Sequence, residues 1–138
     1  MNLTRRETLA LGLGATALAL LPIRASAAAD DQIAAFTGGA DIGTGDITLT
    51  APEIAENGNT VPVAVNAPGA AAIMLLATGN PNPAVGTFNF GPLAGSHSVS
   101  TRIRLAGTQD VLAIARMPDG SFIQASATVK VTIGGCGG

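Results

Sequence analysis

The sequence predicts an all-β fold: an immunoglobulin-like antiparallel β-sandwich of about seven strands, with a short N-terminal helix and a flexible C-terminal Gly-Gly-Cys-Gly-Gly arm. Three observations predict it. Between Asp46 and Ile133 apolar residues repeatedly alternate with polar ones, the mark of strands with one buried face. Turn-forming residues interrupt that alternation at intervals of about 8 to 12 residues. The chain is 138 residues long, 47% apolar and only 12% charged, which suits a single packed domain and excludes wholesale disorder.

Residues 1–27 read as an export signal. Arg5-Arg6 precede an apolar run from Leu9 to Leu21, and Ala25-Ser26-Ala27 forms a small-residue cleavage pattern. As a helix that run would be roughly 20 Å long, short of the roughly 30 Å hydrocarbon core, so a membrane span is the weaker reading. Thr4-Arg5-Arg6-Glu7-Thr8-Leu9 is similar to a twin-arginine motif; an ordinary secretory leader with two chance arginines is the other reading. Either one sends the mature chain, starting near Ala28, out of the cytoplasm into the periplasm. Its removal leaves four basic against eight acidic side chains, a net charge of −4.

Residues 28–45 are expected to hold the short helix and a linker. Ile33 and Phe36 have helical spacing, and Gly38-Gly39 marks the stop. The sandwich is expected over residues 46–133. Ile47 and Leu49 alternate with Asp46, Thr48 and Thr50; Val61, Val63 and Val65 do the same. Ile73 to Ala77 is a continuous apolar run, and Val85 to Phe90 is a further strand. In Ser98 to Leu105, Val99, Thr101, Ile103 and Leu105 share one face, leaving Arg102 and Arg104 on the other. Asp110 to Met117 is apolar on both faces and suits a central strand. Pro118-Asp119-Gly120 then turns the chain into a hairpin with the final run, Ile123 to Ile133.

Composition narrows the function. A net charge of −2 and a pI near 5.1 argue against nucleic acid. Phe36, Phe88, Phe90 and Phe122 are the only aromatic side chains, too few for base-stacking platforms. One His and one Cys exclude the usual zinc and blue-copper ligand sets, and a single Cys excludes an internal disulfide framework. No metal site and no cofactor are expected.

Residues 134–138 read Gly-Gly-Cys-Gly-Gly. A lone Cys is most often a small buried hydrophobe. Here flanking glycines give it nothing to pack with, so Gly134, Gly135, Gly137 and Gly138 read as a flexible arm around Cys136. Three extended residues beyond Ile133 could carry the thiol about 10 Å from the last strand. A nucleophilic enzyme needs a base and an oxyanion site held in place, which such an arm does not supply. It suits a carrier whose substrate rides on Cys136 as a covalent adduct and is brought to the active sites of other proteins.

That ending resembles the carrier motif of the SoxY family, the substrate-bearing subunits of bacterial thiosulfate-oxidation (Sox) systems. The similarity extends through Thr48 to Gly58, Val61-Pro62-Val63, Asn80-Pro81-Asn82-Pro83, Thr101 to Leu105 and Val129 to Cys136. Pro68 to Leu76, Ala-rich and uncharged, departs from the pattern. The resemblance implies a non-catalytic protein that carries thiosulfate-derived sulfur on Cys136. It further implies a heterodimer with a SoxZ-like Ig-fold subunit. Transient partners would be a c-type haem coupling enzyme, a dimanganese hydrolase that releases sulfate and, in some organisms, a molybdenum–haem sulfane dehydrogenase.

Other residues read more plainly. His97 is expected in a loop or at a strand edge, against a lesser reading as ligand or proton-transfer group. Arg102 and Arg104 belong to a solvated or partner-facing surface, or would hold an anionic adduct if the arm folds back. Pro52 to Gly58 is either a strand connection or a docking loop, Asn80 to Pro83 a rigid turn, and Asp41 to Asp46 a linker. Two other functions stay open on the residues alone: an exported thiol redox module, and an Ig-like structural protein cross-linked through its terminal cysteine.

Overall fold

A computed structural model describes residues 24–135. Helix α1 (Arg24–Thr37) is followed by strands β1 (Ile42–Gly43), β2 (Thr48–Thr50), β3 (Ile54–Ala55), β4 (Val61–Asn66), β5 (Ala72–Ala77), β6 (Ala84–Asn89), β7 (Ser98–Ile103), β8 (Gln109–Arg116) and β9 (Phe122–Val131). Seven of the nine are the strands read from the alternation. The other two, β1 and β3, are two-residue strands that run parallel to β9, the exceptions to antiparallel pairing. β1 lies in the stretch expected to be a linker, and β3 in the Pro52–Gly58 loop. Both are too short for any alternation to show.

The strands form two sheets. The larger has the order β1-β9-β8-β5-β6 with β3 also on β9; the smaller is β2-β4-β7. Between them Val61, Val63 and Val65 of β4 meet Ile73 and Leu75 of β5 and Val111 and Ala113 of β8. Burying such side chains contributes about 1.5–3 kcal/mol each. The second face of the larger sheet is covered as well. Met74, Leu76, Ile114 and Phe122 pack under Ile33 and Phe36 of α1, and the Phe36 and Phe122 rings meet edge-on at 5.7 Å. That is why all of β5 is buried and why β8 is apolar on both faces.

Helix α1 starts earlier than the Ile33–Phe36 spacing indicates, in keeping with the run of strong helix formers at Ala27 to Ala29. The expected signal-peptide boundary at Ala27 falls inside it; residues 1–23 lie outside the described residues. The helix ends as expected. Gly38 has φ +66° and its N–H donates to Ala34 O at 2.8 Å, the left-handed close that glycine permits. The Pro118-Asp119-Gly120 turn also forms, with Gly120 at φ +85° and its N–H donating to Met117 O at 3.0 Å. Among the described residues no helix is long and apolar enough to cross a membrane.

Candidate functional site

The end of β9 is stitched on one side to the 53–56 segment that contains β3. Lys130 N–H donates to Glu53 O at 2.9 Å, Thr132 N–H to Ala55 O at 3.0 Å, and the Thr132 hydroxyl to Glu56 O at 3.0 Å. Beyond β9 the backbone closes a collar with two other loops. Gly58 N–H donates to Ile133 O at 2.7 Å, Leu105 N–H to Gly58 O at 2.8 Å, and Gly135 N–H to Leu105 O at 2.9 Å. Three segments distant in sequence therefore meet through main-chain atoms.

Glycine makes that approach possible. A Cβ on Gly58 would collide with Leu105 O and stand 2.8 Å from Gly135 N and 2.9 Å from Val131 Cγ1. One on Gly134 would collide with Ala106 O, and one on Gly135 would stand 2.8 Å from Gly58 O. The φ of Gly58 is not in the left-handed region, so space and not backbone conformation requires glycine there.

The middle loop of the collar is itself held from behind. Asn80 is 4% exposed. Its Nδ2 donates to Arg104 O at 2.8 Å, and its Oδ1 accepts from Ala106 N–H at 2.9 Å and from Gln109 Nε2 at 2.8 Å. Gln109 also donates to Gly107 O at 3.1 Å and accepts from Gly79 N–H at 2.9 Å. Asn80 thus bonds on both sides of Leu105, whose carbonyl receives Gly135.

The sequence places the start of a flexible arm at Gly134. In the structure Gly134 and Gly135 lie against Ala106 and Leu105, because bare backbone can approach bare backbone. Cys136, Gly137 and Gly138 lie outside the described residues. Gly58, Leu105, Asn80 and Gln109 are the site-forming residues that sequence reasoning missed. Gly58 closes the Pro52 to Gly58 connection read from the sequence, but its approach to residue 135 spans most of the chain and leaves no local signal.

The remaining candidates sit elsewhere. The Nδ1–H of His97 donates to Ala70 O at 2.7 Å, and its ring lies 5.3 Å from that of Phe90; the residue directly precedes β7. Arg102 is exposed on β7 opposite Pro62, and Arg104 is exposed just past the strand. An open hollow of about 320 Å³ over the smaller sheet is lined by Thr50, Pro52, Pro62 and Ser100 among others, with no titratable side chain. Among the described residues no group of three or more His, Cys, Asp or Glu could hold a metal ion. Ile54 and Ile133, beside the collar, are 59% and 67% exposed.

Fold and collar together define a β-sandwich scaffold that fixes the exit of its last strand at one end of the domain. Comparisons with known proteins give the family. The model of the family described as sulfur oxidation protein SoxY matches residues 33–136. The sulfur carrier protein SoxY from Chlorobium limicola f thiosulfatophilum is 38% identical; the match covers 78% of this chain and 98% of that one, with a TM-score of 0.67. The chain belongs to the SoxY family. Superoxide reductases are similar in fold alone. One, the neelaredoxin from Ignicoccus hospitalis, is 22% identical with a TM-score of 0.54 over 64% of this chain and 81% of that one. Another, a putative superoxide reductase from Thermotoga maritima, is 18% identical with a TM-score of 0.54 over 65% and 93%. No curated protein matches the chain.

Proposed function

We propose that this protein is the covalent sulfur carrier of a thiosulfate-oxidising system, with Cys136 as the attachment residue and Gly134, Gly135, Gly137 and Gly138 as the glycine frame around it. The observation that carries the reading is the family match running through residue 136. The kinship with a sulfur carrier protein over almost all of that protein's length supports it.

The chemistry follows from one thiol. Loading joins the Cys136 sulfur to the outer sulfur of thiosulfate, releasing one proton and two electrons to a haem-containing coupling enzyme. Hydrolysis of the bond to the sulfone group by a dimanganese enzyme releases sulfate and leaves a persulfide on Cys136. A sulfane dehydrogenase, where present, oxidises the remaining sulfur. The chain itself supplies attachment and presentation, holds no cofactor and performs no catalytic step. It works in the periplasm after export by the twin-arginine route, paired with a SoxZ-like Ig-fold subunit. Export as a folded pair is in keeping with a leader of that type.

The test is intact-protein mass spectrometry after exposure to thiosulfate and the coupling enzyme. Sulfur-containing adducts are expected on the parent and none on Cys136→Ser, with the two melting alike. Equal adduct formation on Cys136→Ser refutes the reading.

A further inference from the structure

We propose that Asn80 and Gln109 are positioning residues for the C-terminal arm, holding the 104–107 loop so that Leu105 O fixes Gly135 as the pivot from which Cys136 departs. The functional weight of this rests on Cys136 being the attachment residue; the geometry does not.

Asn80 uses both ends of its amide on this loop, donating to Arg104 O and accepting from Ala106 N–H, so the peptide groups on either side of Leu105 are fixed. Gln109, 8% exposed, completes the arrangement by bonding Asn80 Oδ1, Gly107 O and Gly79 N–H. Buried amides with their partners in place resist rearrangement, because opening one bond strands the other groups away from water. The loop is therefore rigid where it meets Gly135, and a side chain on Gly134 would collide with Ala106 O.

Pivot position sets what the arm can do. From Ile133 three extended residues would carry Cys136 about 10 Å, whereas from Gly135 the step is a single Cα–Cα distance of about 3.8 Å. A shorter tether confines the thiol to a smaller volume and raises its effective concentration at a docked enzyme. It also obliges that enzyme to approach the collar closely.

The single cysteine of the chain makes the test direct. A nitroxide is attached to Cys136 and its mobility read by electron paramagnetic resonance, while exchange of the Gly135 amide is followed by NMR. The parent is compared with Asn80→Ala, with Asn80→Asp (which keeps the volume but loses the donor to Arg104 O), and with Phe36→Ala. The last loosens the helix-covered core remote from the collar and controls for general destabilisation. In Asn80→Ala and Asn80→Asp the Gly135 amide should exchange roughly ten-fold faster or more, with sharper nitroxide lines. Phe36→Ala should change neither at temperatures well below its melting point. Parent-like exchange and line shape in the folded Asn80 variants, or equal changes in Phe36→Ala, overturn the proposal. Neither readout involves sulfur cargo, so these outcomes are separate from failure of the carrier function.

Discussion

Replacing Gly58 by Ala should open the collar. The added Cβ meets Leu105 O and Gly135 N, both backbone atoms, and Val131 Cγ1, so no flexible side chain can swing away from the first two. Forcing an extra carbon into such a contact costs typically about 1–3 kcal/mol. If the segments part instead, the Gly58–Ile133, Leu105–Gly58 and Gly135–Leu105 bonds are lost, at about 1 kcal/mol each net of the water bonds that replace them. Both routes converge on about 2–3 kcal/mol. At roughly 4 °C per kcal/mol for a domain of this size, the melting temperature falls by about 8–12 °C. Circular dichroism melts measure it, with Gly107→Ala as control. An added Cβ at Gly107 meets nothing within 4 Å, and that variant should stay within about 0.5 kcal/mol of the parent. If Gly58→Ala melts within about 2 °C of the parent, the close packing of the collar is refuted.

Ile114→Ala, in the fully buried layer under α1, should lose about 2–5 kcal/mol in denaturant unfolding; a loss within error would contradict the packing of the helix on the larger sheet. Arg102→Ala removes an exposed guanidinium and should unfold within about 0.5 kcal/mol of the parent, with adduct formation on Cys136 unaltered; a salt-sensitive loss of loading would instead place Arg102 against the adduct. The Asp119 carboxyl is held below its ordinary pKa by the Ser121 hydroxyl, which donates at 2.6 Å, and by the Ser121 N–H at 2.9 Å. A depressed folded-state value means this contribution is present above the unfolded pKa and is lost as pH falls through the folded one. Ser121→Ala should therefore raise the NMR titration midpoint of Asp119 toward the ordinary carboxylate value, and an unchanged midpoint would refute the hydroxyl's role.

What the sequence made legible followed from local period and turn chemistry. The alternation in β4, β7 and β9 and the two-sided apolar run of β8 specify burial directly. Gly38 and Gly120 announce left-handed backbone by residue type. The two-residue strands beside β9 carry no periodicity, and the contacts that create them lie far apart in the chain. Gly134 and Gly135 show the limit most clearly. The absence of side chains reads locally as freedom, yet the same absence lets two backbones touch, and only the positions of Gly58 and Leu105 decide between the two. Asn80 likewise reads as a turn residue next to prolines, while its amide serves a loop more than twenty positions away.

The proposed carrier function turns on one atom, the Cys136 sulfur. The most direct measurement is intact mass, followed by fragmentation, of the protein taken from thiosulfate-grown cells. Several sulfur-containing adducts of different mass are expected, all confined to Cys136 and absent from Cys136→Ser. A protein whose cysteine is found only as a free thiol or a stable disulfide dimer under those conditions would contradict it.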